Sequence, residues 1–80
     1  MTKEEVIEKV NDFLIEEFEI EEDQLVGDAL LKDDLEIESL DFVDIVVIIE
    51  KEFGLKIKGS EMKEVITLDQ FYNYIHNQLN

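Results

Sequence analysis

The chain has no cysteine, no proline, no tryptophan and no arginine, and only three glycines among its 80 residues. Without cysteine there is no disulfide framework, no thiolate metal site and no cysteine nucleophile, so the core must hold by packing alone. The absence of proline fits a chain without linkers, and no internal repeat or low-complexity segment divides it. Long apolar runs are missing too. The longest is IVVII at 45–49, against the roughly 20 residues a membrane-spanning helix needs. The N-terminal MTKEEVIEKVNDFL alternates charged and apolar residues where a secretory signal requires an uninterrupted apolar stretch. These absences predict a soluble, cytoplasmic protein. Cations are scarce as well: 7 lysines face 22 acids, for a net charge of −15. Such a surface repels nucleic acid and anionic membrane, and attracts basic protein patches and divalent cations. Eighty residues suffice for one compact core but not for a core plus a deep substrate cavity, so residues 1–80 are expected to form a single domain, here taken as a monomer.

What is present is helical periodicity. Thr2 with Glu5 three residues later is a capping-box pattern, and Val6, Ile7, Val10, Phe13 and Leu14 recur at spacings of three and four. A helix is predicted from about Thr2 to Glu17. The acidic stretch that follows has scattered apolar residues, Phe18, Ile20, Leu25, Leu30, Leu31 and Leu35, too irregular for a helix and too aperiodic for a strand. It reads as an ordered loop pinned by those side chains. A second helix is expected from near Ser39 to Phe53, with Gly54 as its stop. Its VDIVVII stretch is rich in β-branched residues, which favour strands. Leu40, Val43, Val46, Ile49 and Phe53 nevertheless keep helical spacing, and Asp41, Asp44 and Glu50 do not alternate as a strand requires. Ser60 is read as the cap of a short helical turn reaching about Val65, and Thr67 with Gln70 as a second capping box. Leu68, Phe71, Tyr72 and Ile75 then form the apolar face of a last helix through about Leu79. The fold class is all-α: a small four-helix bundle of three longer helices and a short third one, with a long loop between the first two.

Catalytic readings fare poorly. His76 is the only histidine, and a triad with Ser39 and an aspartate lacks the flanking glycines of a nucleophile elbow in IESLD; His76 is read instead as an exposed residue suited to a helix C-terminus. Acids at 34, 36 and 38 imitate the first half of an EF-hand loop, but its sixth position is Ser39 rather than glycine and its twelfth is Ile45 rather than glutamate. No dedicated metal site is expected, only loose divalent binding to the acidic surface. Paired carboxylates on an exposed face have no apolar pocket to raise one pKa for acid–base work. No enzyme is expected.

The chain has two serines, Ser39 and Ser60. A serine before an apolar run is ordinarily a helix cap worth about 1 kcal/mol. Ser39 is set apart by its neighbours. The segment DLEIESLDFVDIVVIIEKEFGLKI, residues 34–57, resembles the acyl carrier protein family, whose signature is Asp-Leu-Gly-x-Asp-Ser-Leu followed by an acidic-apolar helix ending in phenylalanine. The resemblance extends over nearly the whole chain, and TLDQFYNYI is similar to the family's last helix.

The resemblance implies a freestanding carrier with covalent 4′-phosphopantetheine on Ser39, loaded by a phosphopantetheinyl transferase and bearing acyl groups as thioesters for acyl-transferring and synthase enzymes. It also implies a partner-recognition face for their basic patches, made of Glu38, Leu40, Asp41, Val43, Asp44, Val47 and Glu50, with Glu52 beside it. Glu38 stands where the family has aspartate, keeping the charge, and Glu36 stands where it has glycine, adding a charge and removing a flexible backbone position. Lys51 interrupts the acidic helix, and Lys56, Lys58 and Lys63 make the short third helix less acidic than in fatty-acid carriers. Phe42, Val47 and Ile48 are larger or stiffer than the family's usual residues, and Phe42 reads equally as packing under the loop or as a partner contact. Two alternatives stay open: a specialised carrier for a polyketide-like or amino-acyl pathway, and an unmodified acidic helical adaptor.

Overall fold

The structure, a computed structural model, describes residues 1–79. Four helices follow one another: α1 (Lys3–Phe18), α2 (Ser39–Phe53), α3 (Gly59–Met62) and α4 (Leu68–Leu79), with a 3-10 turn at Glu22–Gln24 in the loop after α1. No β-strand forms among the described residues. One isolated antiparallel bridge pairs Leu30 with Thr67. The expected all-α bundle is therefore found.

Caps set most of the boundaries. The Thr2 hydroxyl accepts the Glu5 N–H at 3.2 Å, and the Glu5 carboxylate accepts the Thr2 N–H at 3.1 Å. Thr67 and Gln70 repeat the exchange at the start of α4, each bond 3.2 Å. α2 stops at Gly54, whose φ of 65° is costly for a residue with a Cβ. The expected start of α3 is corrected. Lys58 occupies the cap position without a side-chain bond, and Ser60 lies inside a single turn that ends at Met62, so Ser60 caps nothing.

α1 and α4 form the main packed pair. Val6, Val10, Phe13 and Leu14 are buried from one side and Leu68, Phe71, Tyr72 and Ile75 from the other, and the Phe13 and Phe71 rings meet edge to face at 6.4 Å. Each fully buried side chain of this size contributes about 1.5–3 kcal/mol. The β-branched run of α2 is helical because tertiary burial outweighs propensity. The regularly spaced residues Leu40, Val43, Val46, Ile49 and Phe53 do not all face the core. Ile45 and Ile49 are fully buried, with Phe42, Val46 and Phe53 half-buried beside them, whereas Leu40 and Val43 are 80% and 64% exposed. Both stripes keep helical spacing. At 100° per residue, 40, 43 and 47 share one side, and 42, 45, 46, 49 and 53 share the other.

The loop of residues 19–38 is ordered by buried side chains, as expected. Ile20, Ala29, Leu31, Leu35 and Ile37 are in the core and Leu25 and Leu30 are half-buried, whereas Phe18, expected in the loop, is the half-buried last residue of α1. Its backbone docks on the α3–α4 connection: Leu31 N–H donates to the Ile66 carbonyl at 2.9 Å, Leu68 N–H to Ala29 at 2.9 Å and Asp69 N–H to Gly27 at 2.8 Å.

The acidity is poorly offset. Twelve acids and one lysine lie between Glu16 and Asp41, and among the described residues the ion pair is Lys3–Asp69 at 3.7 Å on the surface. Added sodium chloride, magnesium or calcium should therefore raise the melting temperature by screening. A melting temperature flat across that series would show that the fold already relieves the repulsion.

α3 is tied to α4 by the Tyr74 hydroxyl, which donates to Glu61 Oε2 at 2.5 Å. Desolvation first, then this hydrogen bond and the Glu61 charge, push the Tyr74 phenol up to about 12. An unfolded tyrosine titrates near 10. The stability linked to neutral Tyr74 is thus full below about pH 10 and lost as pH rises toward 12. Phenolate absorbance should show Tyr74 still largely neutral at about pH 11, and Tyr74→Phe should flatten the alkaline loss of stability. A Tyr74 step at the ordinary tyrosine pH contradicts this.

Candidate functional site

Ser39 is not the cap of α2. Glu38 holds the extended cap conformation, and its N–H donates to the Asp41 carboxylate at 2.9 Å, so Ser39 is the first helical residue. This frees its hydroxyl from capping: Ser39 is exposed and makes no side-chain hydrogen bond among the described residues. The approach to it is held firmly. Leu35 and Ile37 are buried on either side of Glu36, with Leu35 N–H bonded to Leu30 O at 3.0 Å and Ile37 N–H to Leu31 O at 2.8 Å.

Between these anchors Glu36 has φ 56°, in the left-handed region. That conformation costs a residue with a Cβ about 1–2 kcal/mol, whereas glycine at a compatible site loses about 0.4–1 kcal/mol through unfolded-chain entropy. Glu36→Gly should therefore stabilise the fold by about 0.5–1 kcal/mol, read as a higher urea midpoint. A lower midpoint would mean that the two anchors impose no strain. The only sequence signal for this feature was the glycine the resemblance expects there.

An exposed serine hydroxyl at the first turn of a 15-residue helix fits a phosphodiester well. The first N–H groups of a helix lack intrahelical acceptors and sit at the positive end of its dipole. His76 lies in the last turn of α4 and is half-buried rather than exposed.

Around Ser39 the expected partner residues fall into two groups. Leu40, Val43 and Val47, at 80%, 64% and 61% exposure, make an apolar stripe along α2, and Glu38, Asp44 and Glu50 are exposed. Asp41 is half-buried, its carboxylate engaged at the cap. Asp44 and Val47 also line a groove against Glu17 and Phe18 of α1. Phe42 packs against the core and lines a second pocket with Leu30, Leu31, Val65 and Ile66. That pocket was not foreseen, because its walls come from segments far apart in sequence.

The family model described as the phosphopantetheine attachment site matches residues 8–75. An acyl carrier protein of Petrotoga mobilis is 35% identical over the whole of this chain and 94% of its own length. One from Thermotoga maritima is 35% identical over 98% of this chain and 96% of its own, and one from Lactobacillus johnsonii is 32% identical over the full length of both. The matched region includes the exposed, uncapped serine at the start of α2, and with full-length relatives above 30% identity it establishes that the chain belongs to the acyl carrier protein family, the non-catalytic carriers of covalent 4′-phosphopantetheine.

Proposed function

We propose that this chain is a freestanding, single-domain carrier whose Ser39 bears 4′-phosphopantetheine and which moves acyl groups between enzymes of fatty-acid or related synthesis. The observation that carries the reading is Ser39 itself, exposed and free of capping at the N-terminus of α2, within the match to the attachment-site family. When bound, the group supplies the thiol that a chain without cysteine lacks, and acyl groups are held on it as thioesters. Ser39 needs no base in its own chain, because attachment is the work of a phosphopantetheinyl transferase drawing on coenzyme A. The buried anchors Leu35 and Ile37 hold the serine at a fixed place, and the α2 N-terminus favours the phosphate.

Leu40, Val43 and Val47 supply the apolar centre of a docking face, and Glu38, Asp44 and Glu50 its acidic rim, which suits basic patches on the transferase and on synthase enzymes. Asp41 serves that face mainly by holding the cap. Among the described residues no helix is long and apolar enough to cross a membrane, and the reading places the carrier in the cytoplasm as a monomer. Incubation with coenzyme A and a broad-specificity transferase, followed by intact mass, tests the proposal: one phosphopantetheinyl addition per chain is expected, and an unchanged mass favours the unmodified adaptor.

A further inference from the structure

We infer that the pocket lined by Phe42, three residues after Ser39 on α2, favours acyl groups ending in a carboxylate, and that Lys32 and Lys63 are the residues that select them. The inference rests on attachment of the arm at Ser39. The pocket, of about 210 Å³, has an apolar floor of Leu30, Leu31, Phe42, Val65 and Ile66 and is flanked by Lys32, Lys63 and one acid, Asp33. Both lysines are exposed. A net positive rim is unusual on a chain of net charge −15 with only 7 lysines.

Its sign follows from how α3 and the turn after it divide their charges. Glu61 and Glu64 line the groove facing α4, where Tyr74 donates to Glu61. Lys63, between them in sequence, lines the pocket facing Phe42. The acids of this segment are thereby turned away from the pocket and the cation toward it.

The pocket is too small to be a protein interface, which buries about 1,200 Å² or more. It suits a short tethered chain. Phe42 lies three residues after Ser39, roughly 5 Å along the helix, and a group on a short flexible tether meets its site at an effective concentration on the order of millimolar. Weak affinity is therefore enough for occupancy. Methylenes can rest on the apolar floor while a terminal carboxylate meets Lys32 and Lys63. Each exposed ion pair favours the carboxylate by up to about fivefold, so occupancy should differ severalfold from that of a methyl-ended chain of equal length.

The test loads the full chain from glutaryl-coenzyme A or pentanoyl-coenzyme A, confirms single addition on Ser39 by intact mass, and compares the two by NMR. The glutaryl form should give contacts between acyl methylenes and the Phe42 ring, and shifts at Lys32 and Lys63, severalfold stronger than the pentanoyl form. Added salt, or Lys32→Glu with Lys63→Glu, should remove the difference. Equal or stronger contacts for pentanoyl, or none for either, overturn the inference while leaving attachment intact. Absence of any mass gain overturns both.

Discussion

Ser39→Ala should take up no phosphopantetheine from coenzyme A, whereas Ser60→Ala should be modified to completion. The loss is expected to be total, because the hydroxyl oxygen of Ser39 is the atom that would be esterified and the chain has no cysteine to replace it. Folding should be untouched. Ser39 is exposed, sits at the first position inside α2, and leaves the cap to Glu38 and Asp41, so alanine there should change stability by less than about 0.5 kcal/mol. Had Ser39 been the cap, alanine would cost about 1 kcal/mol, and a drop in modification would be harder to separate from a drop in folded fraction. Ser60 is the control, an exposed serine within the one turn of α3, between Gly59 and Glu61. Intact mass and circular dichroism on both variants decide the matter, and an arm found on Ser39→Ala would falsify the assignment.

The same comparison shows which parts of the molecule local sequence could reveal. α1 and α4 were legible because each announces itself twice, by a reciprocal cap and by one apolar stripe. The helix at α2 was legible as a helix, but the side it buries was not. Leu40, Val43 and Val47 are as regularly spaced as Ile45, Ile49 and Phe53, and only packing against the rest of the fold chooses between them. Leu40, Val43 and Val47, which the resemblance assigns to a recognition face, are all on the exposed side. Ser39 was picked out by its neighbours in sequence, but that Glu38, one position earlier, is the residue in the extended cap conformation could not be read from them. The loop's attachment to residues 66–69 had no local signature. Leu30 and Thr67 pair through backbone atoms, which any residue but proline can supply.

Phe71→Ala should be the most damaging substitution for the fold. Phe71 is fully buried at the centre of the α1–α4 contact, and its ring meets Phe13 edge to face. Removing a buried phenylalanine costs about 3–5 kcal/mol, including about 0.5–1.5 kcal/mol from the ring pair. A domain of this length has roughly 4–12 kcal/mol of stability in all, and the repulsion among 22 acids against 7 lysines pushes this one toward the low end. At low ionic strength the variant should therefore be largely unfolded. Phe71→Leu, which keeps most of the apolar volume, should remain folded with a reduced urea midpoint. The effect should reach function only through the folded population, since Phe71 lies in the α1–α4 core and not on the exposed face around Ser39. Phosphopantetheine uptake by Phe71→Ala should then fall with the helical signal and return with it when salt or magnesium is added. A variant that keeps its full circular dichroism at low salt, or loses less than about 1 kcal/mol in urea, would show that the α1–α4 ring packing is not what holds the bundle together.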